Sequence, residues 1–292
     1  MNHSPKVALK KQPSKLIPNS MNRLALFVLL IASIAKGQTE YNPLRSISVN
    51  QPYLIDAVEM LRYGNPEGAV KYIRNAPEQT ARSFEAEYLL GTAYRIQGKI
   101  TEAIEAFSRA SRYESMSLPA HFERGNCYLI KKTFNLAVFD YDRVLLLDST
   151  FVPAYNNRAY ARIRNYGENG MPLQQLRFAR QDMEMALKYS SKDAVQGFEY
   201  YFNLGLLDLY LSEYEKAIAS FNQAMLVEDG LAKLYYYRGA AYFLARFYDK
   251  ARDDFEAAES LGFVSEQTPE FLNVLGLIKK HEEETGNQLG KK

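Results

Sequence analysis

The chain has 292 residues, of which 47% are hydrophobic, with a nominal net charge of +2 and one cysteine. A single cysteine excludes an intrachain disulfide, and the three histidines are too far apart in sequence to form a metal-ligand motif. The charge is unevenly distributed, since residues 1–37 carry six basic and no acidic residues and residues 38–292 therefore have a net charge of −4. The larger part has no electrostatic preference for nucleic acid.

The N-terminal segment has the features of a secretory signal. An apolar run of twelve residues, interrupted only by Ser33, is shorter than the roughly 20 that span a bilayer. It ends in Ala35–Gly37, which has the small-x-small pattern of a signal-peptidase site. We therefore predict a signal peptide at residues 1–37, starting at Met1 or Met21, cleavage before Gln38, and export, to the periplasm of a bacterium. A mitochondrial-type presequence and an uncleaved leader, which would leave a membrane-anchored or cytoplasmic protein, stay open as alternatives.

A period of about 34 residues organises the rest of the chain. Within residues 198–230, Gly205 lies midway along one amphipathic helix, and Ala217 and Phe221 share a face of the next. A shift of 34 residues brings each of them onto a residue of the same type. The small residue of the first helix and the alanine that opens the second recur at Ala57, Gly91, Gly125, Ala159, Gly205 and Gly239, and at Ala69, Ala103, Ala137, Ala179, Ala217 and Ala251. This spacing predicts six helix–turn–helix repeats.

This pattern resembles the tetratricopeptide repeat family over most of the chain. Residues 89–110 carry the family's Leu-Gly followed by Tyr94, Ala103 and Phe107, whereas the family's tryptophan is replaced by tyrosine or by non-aromatic residues. The resemblance implies an all-α fold, a right-handed α–α superhelix in which the first helices line the concave surface. It also implies a binding protein, similar to exported bacterial members of the family, and not an enzyme.

The repeats leave segments on both sides. We expect a polar linker at residues 38–50, a solenoid at residues 51–265, a capping helix at residues 266–285 and a flexible tail at residues 286–292. A terminal helix with one polar face suits the exposed end of a repeat array.

The fourth repeat contains 12 extra residues, eight between its two helices and four after the second. The eight residues between the helices predict a long turn at residues 165–176. Loop insertions cost a repeat array little free energy, so this turn is interpreted as neutral or as a projection that contacts a partner. Tyr166, Met171 and Leu173 are the contact residues that the second interpretation predicts.

Charged residues vary together between repeats. Where an arginine lies before the small residue of the first helix, an aspartate lies at a fixed place on the second, and both are absent where leucine replaces the arginine, at Leu90 and Leu204. We predict structural ion pairs inside three repeats, with no catalytic role. The pairs are Arg124–Asp140, Arg158–Asp182 and Arg238–Asp254.

The remaining candidate is an aromatic groove. Helical spacing predicts that one set of first-helix positions faces inward, and such rings offer a partner a large contact area at low rotamer cost. The predicted partner-binding residues are Tyr88, Phe122, Asn126, Asn156, Tyr160, Phe202 and Tyr236. These residues predict a non-enzymatic scaffold or adaptor that binds a segment of another protein, with no cofactor, metal or nucleic acid. A glycan-binding or enzyme-accessory module is the alternative that stays open.

Overall fold

The computed structural model describes residues 42–45, 48–49, 52–166, 172–190 and 194–263. The predicted signal peptide, capping helix and tail lie outside these residues. No helix in the described ranges has the length and apolar character needed to cross a membrane.

Thirteen α-helices and no strand occur in the described part of the chain. In order, they are α1 (Pro52–Arg62), α2 (Pro66–Arg74), α3 (Glu78–Ala81), α4 (Phe84–Ile96), α5 (Ile100–Tyr113), α6 (Leu118–Ile130), α7 (Phe134–Leu147), α8 (Val152–Tyr166), α9 (Leu173–Tyr189), α10 (Ala194–Tyr210), α11 (Tyr214–Val227), α12 (Ala232–Leu244) and α13 (Tyr248–Ser260). Apart from the short α3, they form six antiparallel pairs, which we number repeats one to six. The prediction of an all-α solenoid is confirmed.

Local sequence fixes where these helices begin. Ser83 caps α4, its Oγ accepting a hydrogen bond from the backbone N–H of Ala86 at 3.2 Å. Asn65 caps α2 in the same way through Gly68, at 2.9 Å. A cap of this kind satisfies an amide that the helix leaves unpaired, which stabilises the helix by about 1 kcal/mol.

The turn inside a repeat has one recurrent geometry in repeats one, two, three, five and six, where the structure describes it. A residue with left-handed backbone ends the first helix, and it is Gly98 (φ 74°) in repeat two but Lys132, Ser212 and Arg246 (φ 60–67°) in later repeats. The next amide then donates to a carbonyl five residues earlier, as from Lys99 N to the carbonyl of Tyr94 at 2.9 Å. This is a Schellman-type helix end, so the turn has the same shape whichever residue occupies it.

Small residues let the two helices of a repeat approach closely. A Cβ placed on Gly91 would lie 2.7 Å from Cε1 of Phe107, and one on Gly205 would lie 2.5 Å from Cε1 of Phe221. Both distances are shorter than van der Waals contact, so the ring on the second helix requires a glycine opposite it.

The buried residues form two apolar clusters. The N-terminal cluster runs from Leu54 to Cys127 and the C-terminal cluster from Phe122 to Ala258. The two clusters meet at α6, since Cys127 belongs to the first and Phe122 to the second. Each repeat therefore buries its apolar stripe against its neighbours, as expected of a solenoid.

The fourth repeat differs from its prediction. Helix α8 continues to Tyr166, and α9 begins at Leu173, so both helices extend into the segment 165–176 that we predicted to be a turn. Leu176 is fully buried, which explains why the chain is already helical there: its side chain belongs to the apolar stripe of α9.

Candidate binding surface

One side of the array is formed by the first helices of repeats two to six: α4, α6, α8, α10 and α12. Successive first helices contact each other directly, as in the pairs α4–α6, α6–α8 and α10–α12, whereas no pair of second helices in the described ranges makes contacts of similar extent. The first helices are therefore more closely spaced and line the inner side of the array. We call this side the first-helix face.

Most of the predicted groove residues are buried under neighbouring helices. Tyr88, Phe122, Asn156, Phe202 and Tyr236 are each at most 6% exposed. The prediction that these five line an open groove is therefore wrong, and their binding of a partner stays a prediction.

In repeats two, three, five and six, the reason is a ring pair between the two helices of the repeat. The aromatic residue at this position packs on the aromatic residue of the second helix, as Tyr88 does on Phe107, with ring centroids 5.5 Å apart. Phe202 packs on Phe221 at 5.8 Å, and Tyr236 on Phe255 at 5.6 Å. Helical spacing alone gives the direction of a side chain, but it does not show how far the second helix covers it.

The other two predicted groove residues are half-buried. Asn126 accepts hydrogen bonds at Oδ1 from the hydroxyl of Tyr141, at 2.8 Å, and from Nδ2 of Asn157, at 2.9 Å. Tyr160, one helical turn along α8 from Asn156, is half-buried as well. Asn126 and Tyr160 are therefore the predicted positions that solvent reaches on the first-helix face.

The fourth-repeat turn is described only at its edges. Leu173 is exposed, whereas Met171 and the side chain of Tyr166 lie outside the described residues. A role for these three residues in partner contact stays a prediction.

The structure brings together all three predicted ion pairs. Arg124 Nε and Nη2 donate to the two carboxylate oxygens of Asp140 at 2.9 and 2.6 Å, and Arg238 does the same to Asp254 at 2.8 and 2.7 Å. Arg158 makes the same forked contact with Asp182 and also donates to Asp142. Asp140, Asp182 and Asp254 are almost fully buried, so the three predicted pairs are interior pairs and not surface ones.

Repeat five has a buried pair that sequence reasoning missed. Asp208 on α10 is fully buried and accepts a hydrogen bond from Nε of Arg180 on α9, in the preceding repeat. Burial raises the pKa of Asp208, and Arg180 opposes that shift. The sequence did contain one indication of this pair. Asp208 occupies a position that is tyrosine in repeats two, three and six, at Tyr94, Tyr128 and Tyr242.

A second charged cluster lies between repeats two and three. Oε2 of Glu123 is 3.0 Å from Nε of Arg95, but the two groups are not aligned for a hydrogen bond. Burial raises the pKa of Glu123 to about 6, with Arg95 and Asn126 opposing. Burial also raises the pKa of the neighbouring Cys127 thiol to about 12, so this cysteine stays protonated at neutral pH and lacks the thiolate of a nucleophile.

Three buried polar side chains occupy one equivalent position on successive first helices, and we call them the polar row: Glu123, Asn157 and Asn203. Among the described residues, Oδ1 of Asn157 has no hydrogen-bond partner, and neither do the two polar atoms of the Asn203 side chain. Buried polar groups are nearly always hydrogen-bonded. The polar row therefore contains buried donor and acceptor atoms that make no hydrogen bond within the described residues.

Comparison with known proteins supports the predicted resemblance to the tetratricopeptide repeat family. Two models described as tetratricopeptide repeat match the chain, one at residues 61–117 and 88–156 and the other at residues 198–228. Residues 61–156 and 198–228 therefore carry tetratricopeptide repeats, as predicted. A search of curated proteins gives no significant match.

Solved tetratricopeptide repeat structures share the fold. A MamA structure from Desulfovibrio magneticus RS-1 aligns with a TM-score of 0.52 and 20% identity, covering 60% of this chain and 93% of that one. YrrB, a TPR protein with an unusual peptide-binding site, aligns at 0.55 and 15% identity, covering 72% and 99%. The C-terminal part of a TPR protein from Cytophaga hutchinsonii aligns at 0.59 and 16% identity, covering 80% and 89%. At these identities the likeness establishes the fold and not the ligand.

This tetratricopeptide repeat array has no cluster of three or more His, Cys, Asp or Glu side chains suited to a metal ion within the described ranges. The buried carboxylates of Asp140, Asp182, Asp208 and Asp254 all face arginines. Their arrangement stabilises helix packing and does not resemble an acid–base pair.

Proposed function

We propose that the protein is a non-enzymatic scaffold that holds an extended segment of another protein on its first-helix face. The observation that carries this proposal is the polar row. Amide side chains can donate to and accept from a peptide main chain at the same time, so Asn157 and Asn203 suit the backbone of a bound segment, with Asn126 and Tyr160 at the accessible edge.

A bound segment would also relieve an existing cost. An unpaired buried polar group costs about 1–3 kcal/mol, and Asn203 contributes two unpaired atoms. Binding that satisfies them gains free energy beyond the apolar contact, provided that the covering side chains move aside.

Site-specific photo-crosslinking in the native host tests this proposal. A photoreactive residue at Tyr160 should give an adduct with one partner segment, and the same residue at the exposed Leu226, on a second helix, should not. The captured segment, made as a peptide, should bind the wild type and lose affinity at least ten-fold in Asn157→Ala, while Asn135→Ala, at an exposed position on α7, leaves affinity unchanged. Adducts from Leu226 alone, or equal affinity for both variants, would refute the assignment of the surface.

We also propose that the protein is exported, on the strength of the N-terminal sequence alone. Sequencing of the N-terminus of protein from native cells should begin at Gln38. A chain that still begins at Met1 or Met21 would favour the anchored or cytoplasmic alternative and leave the scaffold proposal intact.

A further inference from the structure

The segment before α1 lies on the first-helix side of repeat two. Pro43–Arg45 forms a 3-10 turn, closed by a hydrogen bond from Arg45 N to the carbonyl of Asn42 at 3.1 Å and by one from Leu44 N to the side chain of Asn42 at 3.0 Å. The hydroxyl of Tyr88 donates to the carbonyl of Pro43 at 3.2 Å. That bond joins residues 45 apart in sequence, so it is a tertiary contact and not a local one.

The side chains of this segment are sorted by polarity. Leu44 and Val49 are partly buried and pack against the N-terminal cluster, which includes Tyr88. Arg45 and Ser48 are exposed. The described part of the segment therefore places two aliphatic side chains on the array, gives one main-chain carbonyl to a tyrosine of the first-helix face, and leaves Arg45 and Ser48 exposed to solvent.

We infer that the N-terminal end of the first-helix face is a binding site for a short apolar segment, and that residues 42–45 and 48–49 occupy it in the free protein. The matching partner is a segment with two aliphatic side chains and a free main-chain carbonyl near the first of them. Such a partner competes with residues 42–45 and 48–49 for the same contacts. This inference rests on the proposed function for its biological meaning, but the occupied site itself is tested without any external partner.

The effect of the tethered segment on the affinity for a free peptide can be estimated. A tethered segment acts at an effective concentration of around 1 mM, so a peptide that binds the vacated site with a Kd of about 0.1 mM should bind the occupied one about ten-fold more weakly. A purely structural cover behaves differently, because detaching it would destabilise repeats one and two without creating affinity for the same segment in trans.

The test uses a fluorescent peptide with the sequence of residues 42–49 and three full-length proteins: wild type, Leu44→Asp/Val49→Asp, and Ser48→Asp. The double variant places charge on both buried anchors and should release the segment, whereas Ser48→Asp adds charge at an exposed position. Anisotropy should show the peptide binding to the double variant at least ten-fold more tightly than to wild type or to Ser48→Asp. A folded double variant that does not bind the peptide, or equal binding to all three proteins, would overturn the inference.

A milder variant keeps the inference testable if the double variant does not fold. Tyr88→Phe removes the hydroxyl that contacts Pro43, and Tyr155→Phe removes one that donates to Ser149 instead. Trypsin should cleave after Arg45 several-fold faster in Tyr88→Phe than in Tyr155→Phe or wild type. Equal cleavage rates would show that the Tyr88 contact does not hold the segment. Failure of these tests with successful crosslinking at Tyr160 would reject only the occupied site, and the opposite result would reject only the scaffold.

Discussion

Repeats three and five pack alike but place their buried charge differently. A shift of 80 residues aligns them, so that Gly125 and Tyr141 correspond to Gly205 and Phe221. In repeat three, Arg124 and Asp140 form a buried pair that joins the two helices of one repeat. In repeat five these positions are Leu204 and Ser220, and the buried Asp208 pairs instead with Arg180 of repeat four.

The comparison separates what the fold requires from what it permits. Both repeats keep a glycine against a buried ring, and both bury one aspartate with an arginine. The position of that aspartate decides whether the pair holds a repeat together or holds two repeats to each other. Each of the following variants tests one position of this comparison, most of them by moving repeat three toward the sequence of repeat five.

The largest effect should come from breaking the buried pair of repeat three. Asp140→Ser removes the carboxylate that pairs with the guanidinium of Arg124. The Arg124 side chain is only 15% exposed, so we expect a loss of about 3–5 kcal/mol in the free energy of unfolding. The double variant Arg124→Leu/Asp140→Ser copies repeat five and should recover most of that loss. Urea unfolding followed by circular dichroism measures both.

The control for this variant is Asp142→Ser on the same helix. Asp142 is half-exposed and pairs with Arg158, so its removal should cost about 1 kcal/mol or less. A double variant as unstable as Asp140→Ser alone would show that the pair cannot be exchanged for the apolar residues of repeat five.

The next effect tests the contact that the two repeats share. Gly205→Ala would place a Cβ 2.5 Å from Phe221, which is itself fully buried. We expect a loss of about 1–3 kcal/mol from overpacking, although alanine favours a helix over glycine by about 1 kcal/mol. Gly197→Ala on the same helix meets its nearest neighbour at 3.8 Å and should stabilise the protein in the same urea titration. If both variants stabilise it, the close approach is not required.

Much of the fold could be predicted because repetition supplies its own comparison. Gly91, Gly125 and Gly205 recur at fixed intervals from a ring on the next helix, and Arg124 varies together with Asp140. Such signals are internal to the repeat, so a single sequence contains several examples of each.

The sequence did not reveal contacts between segments that have no equivalent in the other repeats. Arg180 and Asp208 belong to different repeats and occur as a pair once, and residues 42–49 have no equivalent elsewhere in the chain. The burial of Phe202 depends on how closely Phe221 approaches it, a distance that periodicity does not contain. The predicted groove residues were therefore expected to be more exposed than the structure shows.

A pH effect of about 2 kcal/mol should distinguish Glu123 from its counterpart in repeat five, Asn203. Burial raises the pKa of Glu123 from 4.5 to about 6, so the folded state holds this proton more tightly than the unfolded state does. The resulting stabilisation is fully present below pH 4.5 and is lost as the pH rises through 6. In Glu123→Gln, the fall in unfolding free energy between pH 4.5 and pH 7 should be about 2 kcal/mol smaller than in wild type.

Glu105→Gln, at an exposed position on α5, is the control for the loss of one carboxylate. Urea titrations of the three proteins at pH 4.5, 5.5, 6.5 and 7.5 give the profiles. The expectation fails if Glu123→Gln and Glu105→Gln change with pH to the same extent.

The smallest effect should come from Tyr141→Phe, which gives repeat three the ring of repeat five. The substitution removes the 2.8 Å hydrogen bond from the Tyr141 hydroxyl to Oδ1 of Asn126. That oxygen still accepts a hydrogen bond from Nδ2 of Asn157 at 2.9 Å. No buried acceptor is left unpaired and the ring stays buried, so we expect a loss of only about 1 kcal/mol. Leu206 stands in place of Asn126 in repeat five, which supplies the check: in an Asn126→Leu background, Tyr141→Phe should cost nothing further. An undiminished cost would mean that the hydroxyl stabilises the protein through some other contact, and that Asn126 is not held in place by Tyr141 at the edge of the first-helix face.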